Sequence, residues 1–206
     1  MGSVEADWGR TQVTGSTFGL VIMARKRPHS TESRDRSIHA SKPEPTASDS
    51  ITPNPTPFIP RRIVSGGQTG VDRAGLEVAI ALGIEHGGWC PLGRRSEDGT
   101  VPSRYELTET DSYDYTVRTR QNVIDSDATL ILYEGQIRGG TKLTKRLTEE
   151  LNQPSLSLPI SDEAIAKVAC WLQEIKPNTL NVAGPRESSS PGIESRAFDL
   201  LLRVFR

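Results

Sequence analysis

Cysteine is nearly absent: the 206 residues hold two, Cys90 and Cys170, far apart and in no CxxC spacing. Two thiols cannot build a four-ligand zinc site alone, and the usual redox rule makes them reduced thiols of a cytoplasmic protein. Histidine is also scarce. His29 and His39 fall in the first quarter of the chain and His86 at a strand start, so no nucleophile–base pair is visible, and no Gly-x-Ser-x-Gly elbow occurs. His86 and Cys90 have no further ligand in view, which argues against a metal there. An excess of one charge is missing too: 25 Lys and Arg against 26 Asp and Glu give a net charge of −1, against the basic surface that a nucleic-acid partner calls for. No run of 18 apolar residues exists, so no membrane-spanning helix is expected. The apolar piece Phe18–Ala24 precedes Arg25-Lys26-Arg27, the reverse of signal-peptide order. Met23 is a second candidate start beside Met1.

Large apolar side chains are sparse in residues 1–58, where Ser, Thr, Pro and mixed charge dominate. Such a stretch buries too little surface to offset its ordering entropy, and a disordered tail is expected there. Residues 59–206 are dense in Leu, Ile and Val, and a domain of ~150 residues buries about 70% of its unfolded surface.

Regular alternation begins at Arg62-Ile63-Val64-Ser65, a short buried strand. Gly66-Gly67-Gln68-Thr69-Gly70 leads to a helix over Val71–Leu82, with Val71, Ala74, Val78 and Leu82 at helical spacing. Thr69 and Asp72 read as its capping box. Gly88-Trp89-Cys90 is the expected second strand, followed by a long loop from Pro91 to about Ser112. Tyr113–Asp125 reads as a helix with Val117 and Ile124 inward. Ala128–Tyr133 is apolar on both faces, as in a parallel sheet, and Gly139-Gly140-Thr141 opens the next helix. Ser155–Leu158, a helix capped by Ser161, Thr179–Ala183 and a last helix bearing Ile193, Ala197, Leu200 and Val204 complete the order. Strands alternating with helices predict an α/β class: an open parallel sheet of about five strands with helices on both faces.

Three strands end in glycine-rich turns that open helices. Helix N-termini present free N–H groups and attract anions, and ligands of open α/β sheets sit at that edge. A phosphate or oxyanion site is therefore expected, foremost on Gly66–Gly70. Neither a P-loop nor a Gly-x-Gly-x-x-Gly fingerprint is present. Arg94, Arg95, Arg138, Lys142 and Arg186 supply candidate cations near the edge.

Ser65–Ala74, His86–Arg95, Glu97-Asp98-Gly99, Arg118-Thr119 with Asn122-Val123, Ser126–Thr129, Gly139-Gly140-Thr141 and Leu180–Glu187 together resemble the molybdenum carrier family, the circularly permuted YpsA-related branch of the SLOG superfamily and a relative of the LOG proteins. The match runs from about Ile63 to the C-terminus. The resemblance implies a Rossmann-like homo-oligomer that binds molybdenum cofactor (molybdopterin) or a molybdate-like oxyanion for storage and handover, with molybdoenzymes as recipients. Ligand contacts would fall on Gly66, Gly67, Gln68, Thr69, Gly70, Asp72, Arg94, Arg95, Arg118, Asn122, Gly139, Gly140, Thr141, Gly184, Pro185, Arg186 and Glu187; no catalytic residue or metal ligand is assigned. The rivals are a LOG-like nucleotide phosphoribohydrolase and a sensor of nucleotide derivatives. LOG hydrolases carry Pro-Gly-Gly-x-Gly-Thr-x-x-Glu, whereas Arg138–Thr144 here lacks the Pro, the third Gly and the Glu. The reading leans to binding rather than catalysis.

Overall fold

The computed structural model describes residues 56–206; the expected tail lies outside them except for its last three residues. Two of those three are tied to the domain. Phe58 packs against the main core, and the Thr56 carbonyl accepts from Gln173 Nε2 at 2.7 Å.

The main sheet has five parallel strands. β1 (Arg62–Val64) feeds α1 (Val71–Leu82), which returns to β2 (Glu85–Gly87). A meandering segment follows, with β3 (Trp89–Cys90), β4 (Arg95–Ser96), β5 (Gly99–Thr100) and β6 (Thr108–Glu109). Then come α2 (Tyr115–Ile124), β7 (Ala128–Tyr133), α3 (Gly139–Glu150), β8 (Ser155–Pro159), α4 (Asp162–Ile175), β9 (Thr179–Ala183) and α5 (Ile193–Val204). The sheet order is β2-β1-β9-β7-β8. Counted from β9 as first, it reads 3-2-1-4-5, the order of a doubly wound sheet. The strand that normally leads such a sheet is here the last in the chain.

Side chains alternate across a strand. One sheet face therefore carries Ile63, Leu130, Leu132, Leu180 and Val182, all fully buried with α1, α4 and α5. Each such side chain contributes about 1.5–3 kcal/mol of burial. The other face, toward α2 and α3, is more polar. Asn181 Nδ2 donates to Thr129 Oγ1 at 3.2 Å, and Thr129 Oγ1 donates to Gln153 Oε1 at 2.7 Å. No helix among the described residues is long and apolar enough to cross a membrane.

Four local expectations are corrected. The second main-sheet strand is Glu85–Gly87; Trp89-Cys90 leaves that sheet and pairs with Thr108-Glu109. The expected long loop is two small strand pairs around a second core of Leu76, Cys90, Val101, Tyr105 and Leu107. Val117 and Ile124 face outward, while Thr119, Asn122 and Val123 are buried. The polar pair is buried because it is bonded: Thr119 Oγ1 donates to the Tyr115 carbonyl at 2.7 Å, and the Asn122 amide binds the Trp89 backbone. The fourth concerns caps. Neither Thr69 nor Ser161 bonds its helix through its side chain, and Gly70, not Thr69, is the residue before α1.

Candidate functional site

β1, β9 and β7 end side by side, and the turns beyond them border one cavity of about 700 Å³. This is the switch point of the sheet, where connections diverge to opposite sides and leave a crevice. Three arginines (Arg118, Arg138, Arg186) and two carboxylates (Asp72, Glu134) line it.

The three glycine turns are not equivalent. At α1 the Gly70 N–H donates to Glu194 Oε2 at 3.0 Å, Val71 N–H to the Pro185 carbonyl at 3.2 Å, and Arg73 N–H to the Gln68 carbonyl at 3.2 Å. At α5 the N–H groups of Gly192 and Glu194 both donate to the Glu187 carboxylate, and Ile193 N–H donates to the Ser190 carbonyl at 3.1 Å. A protein carboxylate already occupies the anion position at each of these ends. At α3 no side chain caps the helix. Among the described residues the N–H groups of Gly139, Gly140 and Thr141 have no partner, and a side chain grown from Gly139 or Gly140 would meet open space. Of the three glycine turns, this one keeps its amides unpaired among the described residues, the condition under which a helix terminus takes an anion.

In the Gly66–Gly70 turn the glycines make room for neighbouring protein groups. A Cβ at Gly66 would lie 1.4 Å from Arg118 Nη1 and 2.8 Å from Asp72 Oδ2, so this glycine makes room for a protein guanidinium. Gly70 adopts φ +82°, and a Cβ there would stand 2.4 Å from the Pro185 carbonyl oxygen. Gly67 packs against Leu107 and Val101. Thr69 Oγ1 donates to Glu97, and neither Gly66, Gly67, Thr69 nor Gly70 lines the cavity.

Arg118 and Asp72 form a pair at 3.0 Å, with side chains 13% and 6% exposed. Burial raises the Asp72 carboxyl above its ordinary value, and the Arg118 charge and hydrogen bond offset that only in part. Glu134 is held low by its hydrogen bonds to Arg196, at 2.6 and 2.8 Å. Both cavity carboxylates thus have an arginine partner. Arg138 donates to Gln136 Oε1 at 2.7 Å, and Arg186 stands 3.7 Å from Glu97. Of the three lining arginines, only Arg138 has no carboxylate partner among the described residues, which leaves a positive surplus at the start of α3.

Nine of the expected residues come together on its wall: Gln68, Asp72, Arg118, Gly139, Gly140, Thr141, Gly184, Pro185 and Arg186. Four others are placed elsewhere. Arg94 donates to four backbone carbonyls, those of Val101, Leu107, Pro102 and Tyr105, at 2.9–3.1 Å, and so staples the segment between β3 and β6. Arg95 is exposed over the Tyr113 ring at 5.8 Å. Asn122 sutures α2 to β3 by accepting from Trp89 N–H at 2.8 Å and donating to its carbonyl at 2.9 Å. Glu187 is the cap of α5.

Glu134, Thr144 and the Ser188–Ser190 run also line the cavity and were not among the expected contacts. Glu134 directly follows the clearest strand, a position that the strand-end rule marks. Glu97 is a second omission. Its carboxylate accepts from Thr69, Ser188 and the Ser188 N–H, tying the β4–β5 hairpin to the turns after β1 and β9. Nothing in local sequence signals a contact spanning 91 residues. Among the described residues no group of three or more His, Cys, Asp and Glu could hold a metal ion.

Residues 63–205 match the model of the circularly permutated YpsA SLOG family. Among solved structures, the 1.45 Å crystal structure of a protein named "Putative molybdenum carrier protein" from Syntrophus aciditrophicus SB is similar, with 41% identity and a TM-score of 0.69. The match covers 72% of this chain and 96% of that one. No curated protein matches the chain.

Proposed function

Because the chain belongs to the circularly permutated YpsA SLOG family, we propose that it binds a phosphorylated ligand or oxyanion in the switch-point cavity and holds it without breaking a bond, as a carrier or store. The observation that carries this reading is the uncapped α3 terminus, the one glycine turn of the three whose amides have no internal partner among the described residues. Backbone N–H groups of Gly139, Gly140 and Thr141 receive the anion, with the guanidinium groups of Arg138 and Arg186 beside it. The name of the similar Syntrophus protein directs the choice of ligand to molybdenum cofactor or molybdate. A volume of about 700 Å³ suits a pterin phosphate better than a bare oxyanion. Holding rather than hydrolysis is favoured because Asp72 and Glu134 are both committed to arginines. In this reading the protein works in the cytoplasm as a homo-oligomer and hands its cargo to molybdoenzymes.

The test is calorimetric titration of the full chain with inorganic phosphate, molybdate, molybdenum cofactor and AMP, with product release followed in parallel. The double variant Arg138→Gln/Arg186→Gln should weaken binding of the anions at least about tenfold, since each charge-assisted hydrogen bond is worth about 1.5–3 kcal/mol. Unchanged affinity in that variant would move the site elsewhere. Absence of binding to all four, or turnover of AMP to free base, would end the carrier reading.

A further inference from the structure

Arg186 faces two ways. It lines the switch-point cavity, whereas Glu97, the carboxylate 3.7 Å from its guanidinium, does not. Glu97 borders a neighbouring depression of about 560 Å³, together with Asp98, Glu187, Glu194 and the cation Arg73. Ser188 borders both hollows, so they meet at the turn after β9. At 3.7 Å the Arg186–Glu97 contact is ionic and longer than a hydrogen bond, and Arg186 is half-exposed. Glu97 is held in place by other groups. Its carboxylate accepts from Thr69 Oγ1, from Ser188 Oγ and, at 3.1 Å, from the Ser188 N–H. Its own N–H donates to Gln68 Oε1 at 3.0 Å. Beside it, Arg73 grips Asp98 by two bonds of 2.6 and 2.8 Å. Burial works to raise the Glu97 carboxyl, but hydrogen bonds from Ser188 and Thr69 outweigh it and hold the group below its ordinary value. At neutral pH Glu97 is a fixed anion.

A fixed anion beside a movable guanidinium opposes any second anion that needs the same guanidinium. The neutral donors keep Glu97 where it is whether or not Arg186 stays. Moving Arg186 therefore leaves the turn braced and changes chiefly the charge that the cavity presents. Resting on the anion-site reading above, we propose that Glu97 is an internal competitor of the ligand. Arg186 leans on Glu97 in the empty protein, turns to the ligand's anionic group in the loaded one, and returns to Glu97 on release. An exposed ion pair shifts an equilibrium about two- to fivefold. The ligand is held that much more weakly than an uncommitted Arg186 would hold it. Among the described residues Arg138 has no such carboxylate, so the site pairs one constant cation with one shared cation. That division suits a protein that must give up what it binds.

The test is a double-mutant cycle read by calorimetric titration of the full chain with inorganic phosphate at constant ionic strength. Glu97→Gln keeps an acceptor for Thr69 and the Ser188 N–H but removes the charge. Arg186→Gln removes the shared cation. Glu97→Gln should bind phosphate about two- to fivefold tighter than wild type. In the Arg186→Gln background the same substitution should change affinity by less than about 1.5-fold, because the contested guanidinium is gone. A brace that merely shaped the turn would give the opposite sign, since its loss weakens binding. Unchanged or weaker binding by Glu97→Gln overturns the inference, and so does failure of that variant to fold, which would mark Glu97 as a structural brace. An equal gain in both backgrounds also overturns it, by tracing the gain to the general field of a lost negative charge. In these cases wild-type phosphate binding shows the anion site intact. If the wild type does not bind phosphate, the anion site falls and the inference falls with it.

Discussion

At the scale of residues, Gly66, Asp72 and Arg118 act as one unit. Removing the cation would leave a fully buried carboxylate without its counter-charge, and breaking such a pair costs about 3–5 kcal/mol. Arg118→Met should lower stability by about 3 kcal/mol at neutral pH, the low end because Arg118 is 13% exposed. The penalty should depend on pH. The folded Asp72 carboxyl already lies above 3.8 through burial, and loss of Arg118 raises it further. A carboxyl whose folded pKa is raised binds its proton more tightly in the native state, so stability falls as pH rises from about 4 through the folded value. Urea denaturation should show a small difference from wild type near pH 4 and the full one at neutral pH; a difference that grows toward acid would refute this. Gly66→Ala probes the same unit from the backbone. Its new methyl overlaps Arg118 Nη1, the movable end of a long side chain, so the guanidinium is displaced and the fold survives. A loss of about 1–3 kcal/mol is expected. The double variant should lose clearly less than the two single losses summed, because both act on one contact. Strict additivity in a double-mutant cycle would argue against a shared unit.

At the scale of elements, sequence signals worked where they were local. β7, β9, α1 and α5 lie within a residue or two of their expected bounds, since apolar periodicity reports burial directly. The signal failed at β2, where a central glycine run drew attention past Glu85-His86-Gly87, and at α2, where Val117 and Ile124 suggested the wrong face. The glycine turns were all found, but which of them is open depends on Glu187 and Glu194 reaching back to cap α5 and α1. The β9–α5 unit also carries a prediction. Phe58 and Phe205 pack in the same core, so the two ends of the domain are near each other, a condition under which permutation is tolerated. Joining Arg206 to Thr56 through a flexible linker and opening the chain between Pro177 and Asn178 should restore the 3-2-1-4-5 order to the sequence. That permutant should show a wild-type circular dichroism spectrum and a single cooperative thermal transition; an aggregating or molten product would count against it.

At the scale of the molecule, ligand binding and stability are linked. A ligand that binds only the folded state at one hundred times its dissociation constant adds about 2.7 kcal/mol. Phosphorylated ligands should therefore raise the unfolding midpoint of the wild type, and the rise should shrink in Arg138→Gln/Arg186→Gln and with added salt, which screens exposed charges. A rise that is the same in the double variant would detach the stabilisation from the α3 end.

The sequence by itself determined the alternating α/β order, the parallel sheet, the family and the sheet edge at which the glycine turns gather, because each rests on residues near one another in the chain. Only the tertiary structure decided which turn keeps its amides unpaired, that Gly66 clears space for Arg118, that Arg94 and Asn122 brace the scaffold, and that Gln68 keeps an unpaired donor. These depend on contacts such as Gly70 with Glu194 and Glu97 with Ser188, 124 and 91 residues apart. A hydrogen-bonding group is free or occupied according to its neighbours in space, and local sequence pattern does not report those.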